Sequence, residues 1–406
     1  MAYVAVSGGQ EAIEESIKLL DFYRSGTDKD VDIEAIENKL SLLVDRVMSE
    51  AGLYSKKYAA LAIKQCEGSI EEAVFLLRAY RSTLTRNYYT NTISTDKMRI
   101  VRRISAAFKD VAGGQILGAT YDYTHRLIDF DINRKNSAEL QQAVLNTLMA
   151  QEPAEIEPCP RLSDALKKEG LIDHHNEENQ YPHDVTVNML EFPAKRSARL
   201  QTLSRADAGF ISGLAYSALR GFGQVHPTVG ELRCGYVELY VPYLLNENES
   251  IYIGEILITE VECFSTADDN DKLKLAVGYG VVFGRNENKA ISMAVIDHEL
   301  NQGGPYPTQN EEFVLMHGDS LEMNGFISHL KLPHYVTFQS KLDAVRKTRN
   351  NSISKRNGDE AALMKKLSDS HSSSLAGSLL IVPRCEGVDR PTLSVGAQKQ
   401  RSIHFD

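Results

Sequence analysis

The chain contains no tryptophan. Its five cysteines, Cys66, Cys159, Cys234, Cys263 and Cys385, are scattered over 406 residues with no C-x-x-C spacing. A disulfide framework, a self-contained iron–sulfur cluster and a zinc ribbon all need thiols at short intervals, so each is excluded. Cys234 and Cys263 stand in strand-like runs and are expected to be core thiols. No apolar run approaches the roughly 20 residues of a membrane helix. The opening MAYVAVSGGQ lacks the basic start and long apolar core of a signal peptide, so a cytoplasmic protein away from the membrane is expected. Positive charge is in deficit: the net charge is −10 and the pI about 5.6. That argues against nucleic acid as a partner while leaving room for a local basic pocket that takes a phosphorylated ligand. What remains, 42% hydrophobic and 25% charged residues, is ordinary for a globular protein with room for two or three domains.

Periodicity predicts helices through the first hundred residues. YVAVSGG reads as a short strand before the helix QEAIEESIKLLDFY, and its glycine junction is either a tight turn or a phosphate-facing helix start. Ile33, Ile36, Leu40, Leu43, Val44 and Val47 recur at three- and four-residue intervals, predicting one amphipathic helix closed by Gly52. Ser55 is a predicted N-cap, and Ser69 with Glu72 a predicted capping box. From Arg99 the stretch MRIVRRISAAFKDVAGGQILGATYDYTHRLIDFDI mixes Arg, Gly and Tyr and reads as a loop, near a ligand or solvated. Residues 131–185 are polar and irregular, with His174 and His175 expected at the surface. Strands are predicted over 235–244, 250–264 and 275–284, then a helix in NENKAISMAVIDHEL capped by Asn286, a strand at EEFVLM, and a last helix from Tyr335. The fold class expected is α+β: an N-terminal helical domain over 1–98, then a core domain over 99–345 built on a mixed or antiparallel sheet with helices, interrupted by an irregular insertion at 131–185. A Ser-rich, flexible C-terminal tail is expected over 346–406.

SHLKLPHYV carries two histidines, His329 and His334, five residues apart. On a strand they point to opposite faces, and on a helix they diverge by about 140°. Pro333 breaks the regularity, so a turn can aim both at one ion. Zinc needs three or four ligands, so spacing alone favours two unrelated histidines.

Several long stretches, in order, carry a resemblance: YVAVSGGQEAI, VDRVMSEAG, AVFLLRAYRSTL, RRISAAFKDVAGGQILGATYDYTHRLIDF, LAYSALRGFGQVHPTVGELRCGYVEL, GEILITEVE, GYGVVFGRNENKAISMAVID and EEFVLMHGDSLEMNGFISHLKLPHYVTFQ. From the N-terminus to about residue 345 the chain closely resembles the PhnI family, core subunits of the bacterial carbon–phosphorus lyase complex. The 131–185 insertion and the tail past 346 depart from the family pattern. The resemblance implies a subunit that acts with PhnG, PhnH and PhnL to displace adenine from ATP with an alkylphosphonate such as methylphosphonate, giving a ribose 1-phosphonate 5-triphosphate. It also implies an intrinsic purine nucleotide nucleosidase activity. PhnJ, the radical subunit, would carry the iron–sulfur cluster, in keeping with the lack of clustered cysteines here. For His329 and His334 the resemblance implies a zinc ion shared with PhnJ at the boundary between subunits.

Such a displacement passes through an oxocarbenium-like transition state. It wants an acid for the leaving purine, a carboxylate near the sugar and cations for the triphosphate. Asp122 with His125 and Arg126 in TYDYTHR supplies acid, base and cation types, or else a simple turn network. Glu260 and Glu262 would share a strand face about 7 Å apart, in a site or on a solvated surface. Arg102, Arg126, Arg220 and His226 are the candidates for substrate binding. Glu311 and Glu312 are expected to be solvated. The alternatives to a transferase are a scaffold subunit without catalysis and a stand-alone zinc hydrolase.

Overall fold

The computed structural model describes residues 9–26, 30–107, 115–132, 137–149, 161–172, 182–223, 226–243, 245–269 and 272–371. The predicted strand at YVAVSGG, His174, His175, Cys159 and Cys385 lie outside them. The chain forms two compact units, Val6–Leu332 and one containing the C-terminal segment from Pro333.

The first unit begins with helices, as predicted: α1 (Gly9–Arg24), α2 (Ile33–Lys39), α3 (Ser41–Ala51), α4 (Lys56–Gln65) and α5 (Ile70–Thr83). The single helix expected over 33–51 is broken at Leu40, which leaves helical geometry at φ −107°, ψ 37°. Gly52 closes α3 in the left-handed conformation, φ 64°, as its position suggested. Ser55 caps α4 by accepting from the Tyr58 N–H. The capping box at Ser69 does not form; its hydroxyl meets Glu71 at 3.3 Å instead. Val44, Val47, Met48, Ala59, Ile63, Val74 and Leu77 close this bundle's core.

Then comes one antiparallel sheet in the order β1-β2-β3-β4, made of β1 (Arg99–Ser105), β2 (Thr228–Tyr243), β3 (Asn246–Asp269) and β4 (Lys272–Phe283). The architecture is α+β, with the antiparallel form of the sheet. The arginine-rich stretch expected to be a loop is strand β1 over 99–105. Between β1 and β2 the chain forms α6 (Ser137–Met149), α7 (Leu162–Lys168), α8 (Arg196–Arg205), α9 (Ala208–Ser217) and a π-helical turn at Ala218–Phe222. The 131–185 insertion is therefore partly structural, since Leu162, Ser163 and Ile172 are buried against the sheet. After β4 come α10 (Glu287–Gln302), α11 (Glu311–Met316) and α12 (Ser320–Ser328). Here α11 replaces the strand expected at EEFVLM. Asn286 precedes α10 but makes no side-chain cap; its amide donates to the Phe283 carbonyl. In the second unit α13 (Tyr335–His371) begins where predicted and continues through 346–371, where a flexible tail was expected.

The sheet has two different faces. Leu232, Val261, Cys263 and Val282 point to one, against Ala290, Met293 and Ala294 of α10. The contact is close because β4 carries Gly278 and Gly280 there: a Cβ on either would overlap the carbonyl oxygens of Ala294 and Ala290. On the bundle side of α10, Lys289 is fully buried, its ammonium 3.4 Å from the Ser49 hydroxyl. Burial, partly offset by Glu50, pulls its pKa down to about 8.

Gly280→Val is expected to cost about 1–3 kcal/mol by overpacking against α10, read as a lower denaturant midpoint at unchanged m-value. Lys289 gives a pH signature. Between pH 8 and 10.5 the unfolded chain holds a proton that the folded chain has lost, so stability rises with pH across that window, by up to about 3 kcal/mol. Lys289→Met should flatten that rise in denaturation curves taken at pH 8 and pH 10.

Candidate functional site

Glu260 and Glu262 do share a face of β3, but it is not solvated. They stand among buried groups on the side away from α10. The register aligns Arg103 with Arg233, Arg233 with Glu260, Glu231 with Glu262, and Glu262 with Tyr279. Arg103 meets Glu231 at 2.7 Å, and the other oxygen of Glu231 accepts from the Leu162 N–H at 2.9 Å. Arg233 Nε meets Glu260 at 2.8 Å, and the Tyr279 hydroxyl donates to the second Glu260 oxygen at 2.9 Å. Glu262 takes Arg161 at 2.8 Å and the Ser163 hydroxyl at 2.6 Å on one oxygen, and the Ser163 N–H on the other. Exposure of Arg103, Glu231, Arg233, Glu260 and Glu262 is 1–4%. Burial raises the pKa of Glu231 against its arginine partners and of Tyr279, where Glu260 adds to it. Burial opposes the charge on Arg161, but Glu260 and Glu262 outweigh it and hold the guanidinium above its usual range.

Three guanidiniums match three carboxylates, and every carboxylate oxygen has a partner. Such a network holds strands together and engages both oxygens of each carboxylate. In this structure Glu260 and Glu262, expected as catalytic carboxylates, bond to Arg233, Tyr279, Arg161 and Ser163.

On the other face of the sheet, the start of α10 borders open space. A cleft of about 370 Å³ opens among β1, α10 and the helices α2–α4, lined in part by Asp45, Lys56, Arg102, Arg285 and Glu287. Arg102, one of the expected substrate contacts, pairs with Glu287 at 2.7 Å and with Asp122 at 2.5 Å. Asp122 also faces Arg126 at 3.6 Å. The structure thus brings Arg102, Asp122 and Arg126 together at the mouth of this cleft. His125 is exposed beside them and makes no hydrogen bond among the described residues. The tyrosine-rich loop there is a turn closed by Thr124 on the Tyr121 carbonyl.

Asp45 is the group the sequence reading missed. It is 2% exposed, and its carboxylate accepts from the Arg285 N–H at 2.9 Å. Burial is the largest influence on it and raises its pKa, with Arg285 opposing. The turn that brings Arg285 to it depends on Gly284 (φ 69°), where a Cβ would overlap the Asp45 carboxyl. The signal available was the FGRNEN junction between strand and helix.

Arg220 and His226 lie elsewhere. Arg220 is exposed in the π-helical turn, and His226 is exposed just before β2. That turn adjoins the far end of α10, where Gly223 packs against the Glu299 carboxyl. The 16 residues of α10 separate its ends by about 24 Å, so these two do not join the Arg102 cluster. Glu312 is exposed as expected, while Glu311 is partly buried and accepts from the Ala194 N–H at 2.9 Å.

The model of the family described as "Bacterial phosphonate metabolism protein (PhnI)" matches residues 2–352. The chain belongs to the PhnI family. It is 42% identical over 355 residues to the alpha-D-ribose 1-methylphosphonate 5-triphosphate synthase subunit PhnI of Escherichia coli K12, covering 85% of this chain and 98% of that one. The PhnI subunit of Rhizobium meliloti is also 42% identical, over 360 residues, covering 86% and 95%. A putative C-P lyase subunit protein, HtxH, of Stutzerimonas stutzeri matches at 42% over 361 residues, covering 86% and 96%.

The PhnI resemblance implied zinc at His329 and His334. His329 follows the last residue of α12, and its Nδ1 meets the Phe326 carbonyl. His334 belongs to the other compact unit, at the head of α13, where its carbonyl accepts from Phe338 at 3.0 Å. Among the described residues no group of three or more His, Cys, Asp or Glu could hold a metal. Two imidazoles are fewer than the three or four ligands of a complete zinc site. No described helix is long and apolar enough to cross a membrane.

Arg233→Met leaves Glu260 buried without its charge partner and is expected to cost about 3–5 kcal/mol, measured by urea denaturation.

Proposed function

We propose that this chain is the subunit of a carbon–phosphorus lyase system in which adenine is displaced from ATP by an alkylphosphonate, and that the Asp45–Arg102–Arg285 cleft takes the nucleotide. Likeness to synthase subunits over most of the chain supports the reaction. The observation that supports the cleft is a buried carboxyl of raised pKa beside three cationic side chains, Lys56, Arg102 and Arg285.

In this reading a phosphonate oxygen attacks C1′ of the ribose as the bond from C1′ to N9 of adenine breaks. The bonding electrons leave with the purine, and a proton from Asp45 neutralises it. Arg285 and Arg102 hold phosphate oxygens, and Asp122 orients Arg102 through its 2.5 Å contact. Water in place of the phosphonate gives the nucleosidase reaction. PhnG, PhnH and PhnL act with the chain in the synthase step. A zinc ion shared with PhnJ would be held by His329 and His334; bound there, it supplies a fixed positive charge at the subunit boundary.

Adenine release from ATP and methylphosphonate, followed with the chain alone and with its partner subunits, is the test. Release is expected with partners, falling about 100-fold in Asp45→Asn. Because Asp45 must be protonated to act, turnover should also fall as pH rises through its pKa. An Asp45→Asn complex as active as wild type would remove the cleft from the reaction, and no adenine under any condition would leave a scaffold.

A further inference from the structure

Where α3, α5 and α8 meet, arginines outnumber the acids available to them. Arg78 and Arg81 stand one turn apart on α5, and Arg205 is the last residue of α8. Arg78 is fully used. It bonds the Glu50 carbonyl at 3.2 and 2.7 Å and the Arg205 carbonyl at 3.2 Å, and it pairs with Asp319. Those bonds satisfy the carbonyls at the ends of α3 and α8, which is what a cation at a helix C-terminus ordinarily does.

Arg81 and Arg205 are left over. Among the described residues Arg81 makes one hydrogen bond, to the Gly52 carbonyl at 3.3 Å. The Arg205 side chain has no hydrogen bond or ion pair among the described residues, and its Nε is buried. The two converge over Gly52: a Cβ there would stand 2.9 Å from Arg81 Nη1 and 3.6 Å from Arg205 Nε. The acids nearby are occupied. Asp319 pairs with Arg78 and caps α12, and Asp184 takes Arg86 and Thr186. Burial and then the neighbouring guanidiniums lower the pKa of Arg81, and bring Arg205 down to about 10.

Like charges are not gathered and partly desolvated without a counter-charge at no cost. We propose that Arg81 and Arg205, over the left-handed Gly52, form a binding site for a phosphate or phosphonate group. A guanidinium fork matches the oxygens of a tetrahedral dianion, and two forks fix its orientation. The site is separate from the nucleotide cleft and does not depend on the reaction assigned to it.

Isothermal titration of the full chain with inorganic phosphate, methylphosphonate and ATP in turn, at constant ionic strength, reads binding without turnover. The expected result is saturable binding of at least one of the three, weakened at least 10-fold by Arg205→Gln and by Arg81→Gln, with Arg205→Lys intermediate. The probe that binds tightest identifies the source of the group. The free Arg205→Gln chain should melt no lower than wild type, because repulsion is relieved. Arg81→Gln decides the matter alone if Arg205→Gln fails to fold. Absence of saturable binding by all three probes, affinities unchanged in both glutamine variants, or equal binding of acetate would overturn the proposal.

Discussion

Arg103, Arg161 and Arg233 meet Glu231, Glu260 and Glu262 inside the protein, and the rest of the core domain depends on that pairing. Charges buried in this way cost several kcal/mol each unless every one is matched. Matching them requires one register. A slip of one residue along β2 or β3 would turn these groups towards α10 and its apolar side chains. The same pairing recruits the covering layer. Arg161, just before α7, and Ser163 on it bond Glu262, and Arg233 donates to the Thr95 carbonyl at 2.6 Å. Small apolar clusters on either side, around Phe264 with Leu162 and around Ile258 with Met98, complete the face.

One face of the sheet is given over to an ion network, and the other carries α10 and borders the cleft. There α10 lies so close that β4 tolerates only glycine at 278 and 280. Its first turn carries Glu287 into the cleft, and the turn before it brings Arg285 to Asp45. The cleft is therefore a product of the junction between the helical bundle and the sheet: α3 supplies Asp45, β1 supplies Arg102, and the β4–α10 turn supplies Arg285. None of these elements makes the site alone.

This explains which parts were legible in the sequence. The α+β class, the three long strands, the left-handed Gly52 and the start of α13 follow from local periodicity and turn chemistry. Strand β1 was hidden because Arg102 and Arg103, charged yet buried, carry no apolar alternation. The helix over 346–371 was hidden for the opposite reason: its described side chains are exposed, so no apolar stripe marks it. Asp45 reads as an ordinary polar position on an amphipathic helix until Gly284 and Arg285, some 240 residues away, bury it. Conversely, residue type and spacing cannot show that Glu260 and Glu262 are buried and bonded to Arg233, Tyr279, Arg161 and Ser163.

Membership of the PhnI family places the chain in phosphonate metabolism, and the division between a structural face and a working face is the central claim. Its most direct test is adenine release by the assembled synthase carrying Arg233→Met together with Glu260→Leu, which replaces the buried pair by apolar groups. The account predicts a folded subunit with turnover close to wild type. A variant that folds and assembles but releases no adenine would show that Glu260 takes part in the chemistry, and would contradict the account.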